Sequence, residues 1–194
     1  MRCNHNCKEP YKPDPMPEKE EYKYYPHHKH QTETILKCGT SMGSVPLCCY
    51  EDYKFQPIVL GTVALDTSNL IKPTVKIDFS SLISFKTSND EEYFLRLVIR
   101  LSKVCEGHPI PLGTWTFEKK VEHEDDGENS SNDDAFVQET DAFCFSWCEC
   151  DDCPDCCRYI VEIVDQQCDD IDFAIVSNIS LTAMVVGMQK SHSY

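Results

Sequence analysis

The chain has 194 residues, with 18 Lys and Arg against 33 Asp and Glu, a formal charge of −15, and 13 cysteines. That length suits one β-domain with an appendage, and the acidity argues against a broad basic surface for nucleic acid or anionic membranes. No stretch reaches about eighteen apolar residues, so no membrane-spanning helix is expected.

The cysteine load points to an oxidising destination or to a metal. Yet "MRCNHNCKEP" is polar from its first residue and lacks the apolar core of a secretory signal. Three readings reconcile the two: metal binding in a reducing cytosol, synthesis without a signal peptide followed by later exposure to oxidant, and a signal peptide already removed, which Met1 at the start disfavours. An odd number of cysteines cannot pair completely within one monomer. At least one is free, modified or bonded to another chain.

Residues 1–32 read as a flexible connector. Pro10, Pro13, Pro15, Pro17 and Pro26 break helices and favour extended or polyproline backbone. Fully extended in that way, some thirty residues reach on the order of 90 Å. Cys3 and Cys7 stand in this arm with no core to join. Folding back onto their own domain is one use for them; bonding to an adjacent subunit accounts also for the odd count and the long spacer.

From residue 33 the texture becomes that of β-strands, and residues 33–190 are expected to form one all-β domain. "ETILKC" (33–38) is short, and "GTSMGS" follows as turn residues. "VPLCCY" (45–50) and "FQPIVLGTVALDT" (55–67) come next, then "PTVKIDFSSLISF" (73–85), which alternates with a period of two. "EYFLRLVIRLSKVC" (92–105) is the clearest strand, with Leu95, Leu97, Ile99 and Leu101 on one face and Arg96, Arg100 and Ser102 on the other. "GHPIPLG" reads as a Pro-rich turn before "LGTWTFEKKV" (112–121). An acidic loop (122–134) precedes "AFVQETDAFCFSWC" (135–148), "RYIVEIV" (158–164) and "IDFAIVSNISLTAMVVG" (171–187). No helical stripe persists over three turns. Eight or nine strands of this kind indicate an antiparallel sandwich or jelly roll.

The remaining cysteines divide by position. Cys148, Cys150, Cys153, Cys156 and Cys157 crowd "CECDDCPDCC", with Cys168 beyond it. The spacing admits a thiolate metal site, but "DDCPDC" reads better as a hairpin turn whose flanking cysteines face each other in disulfides. Neighbours on a strand point to opposite faces. Cys48–Cys49 and Cys156–Cys157 should therefore each send one sulfur inward and one outward. Cys38, Cys105 and Cys144 lie in strands or at their ends, free to pair internally or to stay buried. His5, His27, His28 and His30 admit a transition metal, though a solvated polar tract explains them. The acidic loop lacks EF-hand spacing. No nucleophile elbow, phosphate-binding glycine loop or H-E-x-x-H occurs, and the C-P-D-C of Cys153 and Cys156 lacks the βαβ setting of a redox enzyme. No catalytic residue, bound metal or cofactor is expected.

"ILKCGTSMGSVPL", "IPLGTWTFEK" and "FCFSWCECDDC" resemble a cysteine-rich clostridial domain family of formerly unknown function, which is in turn similar to the endospore appendage subunits of spore-forming bacteria. The resemblance covers roughly residues 33–187. In such subunits a jelly-roll domain carries an N-terminal connector whose cysteines bond to earlier subunits, giving resistant fibres. It implies that Cys3 and Cys7 are connector cysteines and that Cys38, Cys48, Cys49, Cys105 and Cys144 are candidate acceptors. The function it implies is a structural subunit that assembles with itself into a disulfide-crosslinked, pilus-like extracellular fibre on the endospore surface. The alternatives are a Cys/His-rich metal-binding β-domain and a spore-coat or exosporium protein.

Overall fold

The computed structural model describes residues 31–49, 55–87, 92–105, 107–121, 137–150 and 156–190. All but the last two residues of the expected connector, and the whole acidic loop, lie outside them. The described residues contain ten strands and no helix: β1 (Thr32–Cys38), β2 (Thr40–Ser41), β3 (Val45–Leu47), β4 (Ile58–Asp66), β5 (Leu70–Thr87), β6 (Tyr93–Cys105), β7 (His108–Val121), β8 (Val137–Cys150), β9 (Cys156–Asp169) and β10 (Phe173–Gln189).

The strands form two antiparallel sheets. Sheet A runs β1-β10-β5-β8, with β3 also on β10; sheet B runs β2-β4-β9-β6-β7. Without the two short strands, the chain fills two four-stranded sheets in the interleaved order of a jelly roll, as the strand texture anticipates. Alternation drives the packing. Leu95, Leu97, Ile99 and Leu101 of β6 are fully buried, and so are Ile77, Ile83 and Phe85 of β5. Together they remove one face of each sheet from water, which is the main stabilising term for such a sandwich.

Bulges keep the long strands in phase. In β10 the apolar positions change parity between Val176 and Ile179, and the register slips between Ser177 and Ser180. Asn178 absorbs the extra residue at φ 50°, a left-handed conformation that Asn tolerates better than most residues. In β9 Val164 has no partner on β6, since Val98 pairs with Asp165 and Ile99 with Ile163. Beyond it the parity is reversed, and Cys168 turns toward the interior.

Two expectations are corrected. "GHPIPLG" is not a Pro-rich turn: only Glu106 and Gly107 separate the paired residues Cys105 and His108, and Pro109 and Pro111 lie inside β7. That is permitted because β7 is the edge of sheet B, where a missing N–H costs no ladder bond. Nor is "DDCPDC" the tip of a hairpin. β8 pairs with β5 in sheet A, while β9 pairs with β4 and β6 in sheet B, so residues 151–155 connect the two sheets.

Candidate functional site

Two disulfides lie among the described residues. Cys105 faces Cys157 directly across the β6–β9 ladder, with Cα atoms 4.6 Å apart. Cys49, just past β3 of sheet A, bonds to Cys168 on β9 of sheet B, 119 residues later, with Cα atoms 5.3 Å apart. The second bond ties one sheet to the other. The Gln166 side-chain amide donates to the Cys48 carbonyl at 2.8 Å and lies 3.2 Å from the Cys168 sulfur. Cys49 and Cys105 are thus consumed inside the domain, which removes two of the five candidate acceptors. Cys157 and Cys168 bond outside the crowded segment rather than within it. Adjacent cysteines do divide as strand geometry requires: Cys156 is exposed, whereas Cys157 is buried.

Cys38, Cys48, Cys144, Cys148 and Cys150 are exposed thiols. Three of them share one strand face. Cys144, Ser146, Cys148 and Cys150 point outward from β8, opposite Ser80, Asp78, Lys76 and Thr74 of β5. Neighbouring polar contacts order this surface. Ser146 donates its hydroxyl to Asp78, Lys76 pairs with Asp78 at 2.9 Å, and Thr74 lies 3.8 Å from the Cys150 sulfur. The Ser146 hydroxyl, aided by Lys76, holds the Asp78 carboxyl below its ordinary pKa, and Asp78 raises that of Lys76. An open depression of about 510 Å³ lies beside Cys144, between Asp78, Ser80, Ser146, Ser180 and Thr182. Cys38 occupies the opposite edge, reached through Thr182 of β10. Cys3, Cys7 and Cys153 lie outside the described residues. Among the described residues no three metal-ligating side chains converge.

Beneath the thiols, the inner face of β8 closes the gap between the sheet edges. The Trp115 ring of β7 stacks on Phe145 with centroids 3.8 Å apart, and Trp147 meets it edge-on at 6.4 Å. Gly113 makes room for that indole, since a Cβ there would sit 2.6 Å from it. Each end of this seam is polar. At one, Lys119 pairs with Asp141 at 2.8 Å and with Glu139 at 3.4 Å, and Tyr93 donates to Glu139 at 3.1 Å. The Asp141 carboxylate raises the Lys119 pKa, while burial, reinforced by Glu139, raises that of Tyr93. At the other end, Lys103 of sheet B reaches Glu149 of sheet A at 3.0 Å, and Tyr159 donates to the same carboxylate at 2.6 Å. Lys103, Glu149 and Tyr159 are not among the residues that the motifs single out. The signal was present: Lys103 continues the inward parity of Leu95 to Leu101, where an unpaired charge would be costly.

Residues 32–186 match the family model described as "Domain of unknown function (DUF4489)". The chain belongs to this family. No curated protein matches it in sequence. Among solved structures, a chain of the "Structure of infectious bursal disease virus Gx strain" is similar at 7% identity and a TM-score of 0.37, over 84% of this chain and 38% of that one. The present chain therefore spans well under half of that chain's length, and the likeness is too weak to bear on function.

Proposed function

We propose that this protein is a structural subunit that joins copies of itself through disulfides into a fibre on the endospore surface, with no catalytic activity. One observation carries the reading: among the described residues the inward cysteines are already bonded, yet Cys38, Cys48, Cys144, Cys148 and Cys150 remain as outward thiols on a fold that two disulfides already secure. A buried free cysteine is a small apolar residue and needs no further account; exposed ones in such number do. Cys3 and Cys7, in the proline-rich N-terminal segment, supply two further cysteines. A head-to-tail contact that does not close propagates as a helical filament. Interchain bonds then make its persistence independent of protein concentration. Placement on endospores rests on the family resemblance of the three quoted motifs.

The experiment is non-reducing electrophoresis of boiled protein. The expected result is a ladder, or material held in the well, that collapses to 22.3 kDa with reductant. Cys3→Ser with Cys7→Ser should abolish the ladder and leave the melting temperature unchanged. A wild-type chain that stays monomeric after oxidation would refute polymerisation. Immunogold labelling of intact spores tests the location separately, and absence of label from the spore surface would refute that part.

A further inference from the structure

Resting on that reading, we propose that the free edge of β8 is the acceptor. Residues 3–7 of a second copy add to it as an antiparallel strand and form two interchain disulfides, Cys3 with Cys148 and Cys7 with Cys144.

β8 pairs with β5 along one side, and among the described residues nothing pairs with the other. It runs fourteen residues without proline or glycine, leaving a row of backbone donors and acceptors open to another strand. Residues 1–9 also lack proline, which begins at Pro10, so they can donate to a ladder. The thiol spacing matches. Cys144 and Cys148 are four residues apart on one face of β8, and Cys3 and Cys7 are four residues apart in "CNHNC". In extended backbone both intervals are about 13 Å. One antiparallel register therefore opposes both pairs at once and sets His5 against Ser146. Directly opposed cysteines on antiparallel strands already bond in this molecule, at Cys105 and Cys157.

The alternatives on the same sheet fit less well. Cys38 lies on β1, three strand spacings from β8, roughly 14 Å away, and has no second thiol four residues along its strand. Cys144, Cys148 and Cys150 cannot bond to one another without backbone movement, because same-face positions on one strand are about 7 Å or more apart. Any disulfide they form therefore takes its second sulfur from elsewhere. Charge favours the encounter: residues 1–30 contain six Lys and Arg and five Asp and Glu, a net +1, so the chain's −15 leaves −16 on the remainder.

Each interchain bond joins one thiol from each copy and releases two protons and two electrons. A soluble low-molecular-weight disulfide accepts them and leaves as two thiols, by way of a mixed disulfide.

The test oxidises purified full-length protein with oxidised glutathione, then combines non-reducing electrophoresis with mass spectrometry of linked peptides. Cys144→Ser with Cys148→Ser should lose the ladder as completely as Cys3→Ser with Cys7→Ser, with an unchanged melting temperature. Cys38→Ser with Cys48→Ser should keep it. Peptides should join Cys3 to Cys148 and Cys7 to Cys144. Mixing the two ladder-negative variants should give heterodimers and nothing larger, since each contributes one half of the junction. A ladder that persists in the β8 variant, with Cys3 or Cys7 bonded to Cys38 or Cys48, overturns this assignment and leaves polymerisation standing. Linkage of Cys3 and Cys7 to β8 of their own chain overturns it as well. A wild-type chain that forms no ladder refutes the polymerisation reading itself.

Discussion

The two sheets treat the same side chain in opposite ways. In sheet B, Cys157 and Cys168 are bonded to Cys105 and Cys49, and both bonds stabilise the fold by restricting the unfolded chain. On sheet A, Cys144, Cys148 and Cys150 stand on an edge strand facing water, and among the described residues no sulfur lies in bonding reach on their own face. Cysteine chemistry does not distinguish the groups. Facing direction does, together with whether the neighbouring strand supplies a partner.

Removing the bonded group should have the largest effect. Cys168→Ser opens a loop of 119 residues, at a cost of about 4–5 kcal/mol by chain entropy, which lowers the melting temperature by roughly 10–15 °C. Cys144→Ser, by contrast, should stay within about 0.5 kcal/mol of wild type. Equal effects in thermal denaturation would erase the distinction.

Next comes the ion pair that bridges the sheets beneath the thiols. Lys103→Met strands the Glu149 carboxylate, already largely enclosed, and should cost about 3 kcal/mol. Tyr159→Phe removes one hydrogen bond to the same carboxylate and should cost about 1 kcal/mol. Chemical denaturation checks both, and the order of the two effects is the sharper test.

Alkylation divides the groups without mutation. With no reductant, iodoacetamide should label Cys38, Cys48, Cys144, Cys148 and Cys150 in unpolymerised protein and spare Cys49, Cys105, Cys157 and Cys168. Peptide mass spectrometry reads the result, and label on Cys157 in folded protein would contradict the structure.

The smallest effect is electrostatic and belongs to the thiol face. The folded-state pKa of Asp78 is lowered, so its contribution is present above the ordinary carboxylate pKa and is lost as pH falls through the folded value. Asp78→Asn should therefore be slightly less stable than wild type near neutrality, with the two converging in acid. The pair is solvent-exposed and the difference is small. A gap that widened in acid would reverse the assigned sign.

Much of the fold was legible because burial on a pleated strand imposes a period of two. Leu95 to Leu101 and Val75 to Phe79 could be assigned to an inward face without coordinates. Opposite facing of adjacent cysteines follows from the same rule. The proline-bearing start of β7 was misread, since an edge strand tolerates what a central strand rejects, and edge position is not a local property. The hairpin expected at 151–155 failed for a related reason: two strands joined by a short segment need not pair if each has a better partner elsewhere.

By itself, then, the sequence determined an all-β chain with an appended cysteine-bearing segment and more cysteines than one monomer can pair, because alternation and composition are local and countable. Only the tertiary structure decided which sulfurs meet. Cys49 and Cys168 are 119 residues apart and come together where a bulge at Val164 reverses the facing of β9. Cys144 and Cys148 face outward, and among the described residues no strand brings a sulfur beside them, because strand order leaves β8 at the border of its sheet. Pairing depends on register and strand order, which are set by the packing of the whole sandwich and by no single stretch of residues.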